Sequence, residues 1–195
     1  MRMPPIESQS MPPVFTSWKF LFAGFSLLLL PAAHASEPWL DSGSLEVGTG
    51  ASVKMWRVGV QKDLHKEWLQ SNGNHVNLYW DFSAAQWRGS RYKDVPDQHQ
   101  DLYVIGATPT LRWQADNRQG WYGEFGIGYF LTSTLYNNDS NRLSTAFQFG
   151  DHLALGYAFA NKWELALKVQ HFSNAGIKKP NSGVNFAQLK LTRPF

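Results

Sequence analysis

The feature that most constrains this chain is alternation. Beyond residue 40, apolar and polar side chains trade places at every second position, in one run after another. Asn/Gly/Asp-rich turns separate the runs, which lie near 43–51, 53–62, 74–88, 101–114, 120–132, 144–159, 162–173 and 184–195. In the run at 74–88, Val76, Leu78, Trp80, Phe82 and Ala84 share one parity, and His75, Asn77, Tyr79, Asp81 and Ser83 the other. A strand sends these two sets to opposite faces. In the run at 120–132, Trp121, Phe125, Ile127, Tyr129 and Leu131 oppose Glu124, Gly126 and Gly128. The run at 144–159 sets Phe147, Phe149, Leu153, Leu155, Tyr157 and Phe159 against Gln148, Gly150, His152, Ala154 and Gly156.

A soluble β-sandwich or a lipocalin-like barrel also alternates, with its apolar face inward. Two features favour a membrane barrel. The runs are about 10–16 residues long, against a mode of ~5–6 in globular sheets. Their polar face is rich in Gly, Ala and Ser, which suits a narrow interior. Trp and Tyr near strand ends fit interfacial girdles. A bilayer tolerates no open sheet edge, so the sheet should close on itself. The expected fold is all-β: an eight-stranded antiparallel transmembrane β-barrel of the outer-membrane type, ending on the aromatic Phe195. Pro109, inside one run, is expected to mark a bulge.

The 195-residue length suits one domain. With no cysteine, disulfide scaffolds and thiol chemistry are excluded. Aromatics at 15% and charged residues at 17% exclude disorder. The net charge of +3 comes without a Lys/Arg block, so no nucleic-acid partner is expected. At the N-terminus, Lys19 precedes the apolar run Phe20–Leu30, and Ala33-His34-Ala35 follows as a cleavage pattern. Residues 1–35 therefore read as a signal peptide for export, from a start at Met1 or Met11, and residues 36–195 as the barrel. With both barrel termini in the periplasm, 89–100, 132–143 and 174–183 are the long outer loops. The connections at 63–73, 115–119 and 160–161 face the periplasm.

The run at 162–173 carries the chemistry. Trp163, Leu165, Leu167 and Val169 form its lipid face, and the same parity continues to His171 and Ser173. Polar residues on a lipid face cost free energy unless they lie near the interface or have a task. Residues i and i+2 of a strand share a side, ~6.5–7 Å apart at the backbone. A serine becomes a nucleophile when a base lies beside it. The plain alternative is an interfacial His and Ser that merely end the strand, for which His-x-Ser alone is a weak pattern.

The segment from His171 to Gly183, H-F-S-N-A-G-I-K-K-P-N-S-G, closely resembles the signature of the outer-membrane lipid A 3-O-deacylases, the PagL family. Weaker resemblance extends over Trp80-Asp81, the stretch from Glu124 to Gly128, and the aromatic C-terminus. It implies a serine esterase that cleaves the 3-O-linked acyl ester of lipid A in the outer leaflet, through an acyl-enzyme. His171 would be the base and Ser173 the nucleophile. Asn174 and Gly176 would serve the oxyanion, supported by Asn181. Neither metal nor organic cofactor is implied, and His75, His99 and His152 lack ligand-like spacing. The implied partners are lipopolysaccharide and membrane lipid; a homodimer stays open.

The chain departs from the family at the third member of the site. A Glu is expected two residues after Gly183, and Asn185 stands there. Asn185 shares parity with Leu189 and Leu191, so it should meet His171 from the next strand. An Asn carbonyl can orient a His but cannot stabilise imidazolium as a carboxylate does. Asp151, outward on the run at 144–159, is the alternative acid, within cross-strand reach of His171. Arg88, Arg91, Lys93, Lys178 and Lys179 are candidates for lipid A phosphates or plain solvated charges. Rival functions are a barrel phospholipase and a non-catalytic barrel.

Overall fold

The computed structural model describes residues 39–195. The expected signal peptide, 1–35, lies outside them. Ten strands follow in order: β1 (Ser42–Gly50), β2 (Val53–Ser71), β3 (Asn74–Gly89), β4 (Gln100–Ala115), β5 (Gly120–Thr132), β6 (Asn137–Asn138), β7 (Asn141–Arg142), β8 (Phe147–Ala158), β9 (Glu164–Ser173) and β10 (Val184–Pro194). Eight of them close an antiparallel barrel in the order β1-β10-β9-β8-β5-β4-β3-β2, while β6 and β7 pair in a small hairpin. One end of the barrel carries the termini and short turns. The other carries the long loops 90–99, 133–146 and 174–183.

The alternation turns out as expected, with the apolar set outside. Leu167 is 70% exposed, whereas Lys168 beside it is 4% exposed. On β3, His75, Asn77, Tyr79 and Asp81 are buried inward. This is the pattern of a sheet whose outer wall meets lipid.

Two expectations need correction. β2 does not stop at 62: it runs on to Ser71, so the connection expected at 63–73 is a two-residue turn. Its pairing with β3 shifts register between Asp63 and Glu67 and again between Trp68 and Ser71. His65 and Leu69 there have positive φ. Such bulges interrupt the period of two, which is why the sequence hides the strand's second half. Pro109 makes no bulge either. Its pairing with Trp80 keeps the unbroken β3–β4 register. Towards β5, pairing skips from Ala107↔Tyr129 to Thr110↔Gly126 in one register. Proline lacks the N–H that would donate there, so the ladder loses a rung without shifting.

The interior has two levels. In the middle and towards the terminal end, four carboxylates face four cations. Glu46 pairs with Arg57 (3.2 Å) and Lys168 (2.7 Å), and Asp81 with Lys190 (3.1 Å). Arg112 bridges Glu124 (2.6 Å) and Glu164 (2.9 Å). At the loop end the filling is apolar: Trp87, Leu102, Val104, Phe130, Tyr136, Leu143, Phe172, Val184 and Phe186 form one buried cluster.

Candidate active site

Phe172 decides where its neighbours point. It is fully buried in the aromatic plug, its ring 4.7 Å from Trp87 and 4.9 Å from Phe130 between centroids. With Phe172 pinned inward, a strand has no choice but to send His171 and Ser173 outward. Both lie half-buried at the loop end of the lipid-facing wall.

Register supplies the partners. His171 stands opposite Asn185 of β10 on one side and Asp151 of β8 on the other. The His171 Nδ1 and Asn185 Oδ1 are 2.7 Å apart. An amide oxygen only accepts, so Nδ1 carries the hydrogen, which in a neutral ring leaves the lone pair on Nε2. Asp151 is exposed, and its carboxylate makes neither a hydrogen bond nor an ion pair with the ring. No hydrogen bond joins His171 to Ser173. Instead the Ala175 N–H donates to Ser173 Oγ at 3.4 Å.

The loop after Ser173 is organised by Asn174, whose side chain is fully buried. Its Nδ2 donates to the Lys178 carbonyl (2.7 Å) and, at 3.4 Å, to Ser144 Oγ. Its Oδ1 accepts the Gly176 N–H at 3.0 Å, and its own N–H donates to Asn181 Oδ1 at 3.0 Å. Ala175 and Gly176 both adopt positive φ in this tight turn. A second loop braces the first. Ser144 Oγ donates to the Lys178 carbonyl (2.7 Å), and the Ser182 N–H to the Arg142 carbonyl (3.0 Å). Arg142 in turn pairs with Asp94 at 3.3 Å. The Ser140 N–H, then Arg142, hold the Asp94 carboxyl below its ordinary range.

The structure thus brings His171, Ser173 and Asn185 onto one outward patch and Asn174, Gly176 and Asn181 into one turn beside it. Asp151 is adjacent by register but not bonded. Sequence reasoning missed the brace at 142–144, a long-range contact with no local signal. It also missed the anchor Phe172, which the alternation between His171 and Ser173 already implied.

Fold and patch define a class: an eight-stranded outer-membrane barrel with polar groups at the rim of its lipid face. A family model for lipid A 3-O-deacylase (PagL) matches residues 54–193. The lipid A deacylase PagL of Bordetella bronchiseptica is 32% identical over 180 residues, 91% of this chain and 96% of that protein. Its namesake from Pseudomonas aeruginosa is 29% identical over 171 residues, 87% of this chain and 95% of that protein. A crystal structure of the outer membrane enzyme PagL superposes with a TM-score of 0.67 at 25% identity, covering 79% of this chain and 99% of that one. The chain belongs to the lipid A 3-O-deacylase (PagL) family.

Proposed function

We propose that this chain is a lipid A 3-O-deacylase, a serine esterase working in the outer leaflet with Ser173 as nucleophile and His171 as general base. One observation carries the reading: His171, held through Nδ1 by Asn185 at 2.7 Å, shares its lipid-facing rim with Ser173 two residues on. Nε2 takes the Ser173 proton as Oγ attacks the ester carbonyl. The protonated ring then gives that proton to the departing sugar oxygen at position 3. Water, deprotonated by the same nitrogen, attacks the acyl-enzyme carbonyl, and Nε2 returns that proton to Ser173 Oγ as the acyl–Oγ bond breaks and the 3-hydroxy fatty acid leaves. Oγ reaches Nε2 by side-chain rotation, since both project from one face. Such contacts are commonly long before substrate arrives.

Asn174 shapes the oxyanion turn through its side chain, which holds the Gly176 N–H, and Asn181 holds the turn in place by accepting the Asn174 N–H. For Gly176 to serve the oxyanion, its N–H exchanges Asn174 Oδ1 for the substrate oxygen. The Ala175 N–H, already on Ser173 Oγ, is the donor nearest the reacting atom. Lys178 and Lys179, exposed on the same loop, would be the cations that meet the phosphates of lipid A.

The test incubates purified barrel with lipopolysaccharide and, separately, with phospholipid vesicles, and weighs the products. Loss of one 3-hydroxyacyl chain from lipid A alone is expected. Cleavage of phospholipid instead makes the chain a phospholipase, and no cleavage of either makes it a non-catalytic barrel.

A further inference from the structure

The His171 ring occupies the space a side chain at residue 183 would fill. A Cβ built on Gly183 comes within 2.5 Å of His171 Cε1, 3.3 Å of Nε2 and 3.4 Å of Nδ1. Carbon atoms in contact sit ~3.5–4.0 Å apart. The Cε1 edge of the ring therefore fills the place of a Gly183 side chain. That backbone has little room to retreat. Ser182 is tied to Arg142 by its N–H, and Val184, 3% exposed in the apolar plug, pairs with Phe172. Gly183 also holds φ at +75°.

We propose that Gly183 is a positioning residue: its missing side chain leaves the gap into which the Cε1 edge of the imidazole points while Nδ1 reaches Asn185. This rests on the reading of His171 as the base. Two demands for glycine coincide at 183, the left-handed backbone and the ring, and the molecule offers a way to separate them. Gly73, in the β2–β3 turn, has φ +74° with nothing within 4 Å of a built Cβ. Gly73→Ala thus carries the same backbone strain without the collision.

Gly183→Ala and Gly183→Asn are compared with Gly73→Ala in detergent-solubilised protein. Asn tolerates a positive φ far better than Ala, so Gly183→Asn folds where strain alone would defeat the Ala variant. Displacing the ring by ~1 Å lowers kcat by on the order of 10²-fold. KM stays near wild type, because no lipid contact is lost. Phosphonylation of Ser173 by a fluorophosphonate slows by the same factor. The His171 Nδ1 signal in 15N-histidine spectra, assigned with His171→Gln, moves in both Gly183 variants. Gly73→Ala leaves all three readouts unchanged. A folded Gly183→Asn barrel with wild-type kcat and an unmoved Nδ1 signal overturns the proposal. If His171→Ala keeps full activity, the base assignment fails instead, and the spectra still report whether Gly183 places the ring.

Discussion

The two faces of β9 present opposite solutions to polarity. Inward, Glu164, Lys168 and Gln170 are each matched: Glu164 with Arg112, Lys168 with Glu46, Gln170 with Gln188. Outward, Leu165, Leu167 and Val169 need no partners, and then His171 and Ser173 appear with Asn185 and the Ala175 N–H as their hydrogen-bond partners among the described residues. Balanced charge inside a narrow barrel is accounted for by folding alone. A basic ring and a hydroxyl on the lipid wall are not. His152, just inside the wall from His171, makes the contrast sharp: neither of its ring nitrogens has a hydrogen-bond partner among the described residues, and it faces no lipid. A histidine in this barrel becomes a candidate base through its side of the wall and its partner.

Substitutions on the two faces should separate in kind. His171→Ala lowers kcat by on the order of 10⁶-fold with the melting transition unchanged, as expected of a base whose loss disables the whole unit. Next in size, Lys168→Met leaves Glu46 with Arg57 as its one remaining direct ion-pair partner inside the barrel. Breaking a buried pair costs ~3–5 kcal/mol. Denaturant titration should show that loss, while the folded fraction deacylates normally. Phe172→Ala blurs the comparison on purpose, since that residue belongs to the inner face but orients the outer one. It should cost about 3–5 kcal/mol through the cavity it leaves and also slow turnover.

Smaller effects sharpen the account of the ring's partners. Asn185→Glu places a carboxylate on Nδ1 and stabilises imidazolium, so turnover rises by roughly tenfold, the equivalent of one pKa unit. A carboxylate favours the charged ring, so the acidic limb of the pH–rate profile moves to higher pH. An unchanged rate and profile would remove charge at 185 from the mechanism. Asp151→Asn should change kcat by no more than about twofold, because a carboxylate that contacts no ring nitrogen leaves little to lose. A large fall would make Asp151 the compensating acid after all.

Much of this was legible in the sequence, because a barrel wall writes itself in a period of two. Val76 and His75, or Leu167 and Lys168, declare their sides without any knowledge of the fold. The same rule put His171 and Ser173 outside and brought Asn185 level with His171. What escaped was whatever breaks the period or spans the chain. The bulged half of β2 after Asp63 loses its alternation. Pro109 signals a fault that the ladder absorbs in register. The brace from Ser144 and Arg142 to the 174–183 loop joins segments some forty residues apart, and the fit of the ring edge at Gly183 depends on a backbone angle that no spacing encodes.

The most direct test of outward-facing chemistry is the mass of lipid A recovered from membranes carrying wild-type or Ser173→Ala barrel at equal folded amounts. The wild type should yield lipid A lighter by one 3-hydroxyacyl chain, and the variant should leave it intact. The same mass loss with Ser173→Ala would contradict the account.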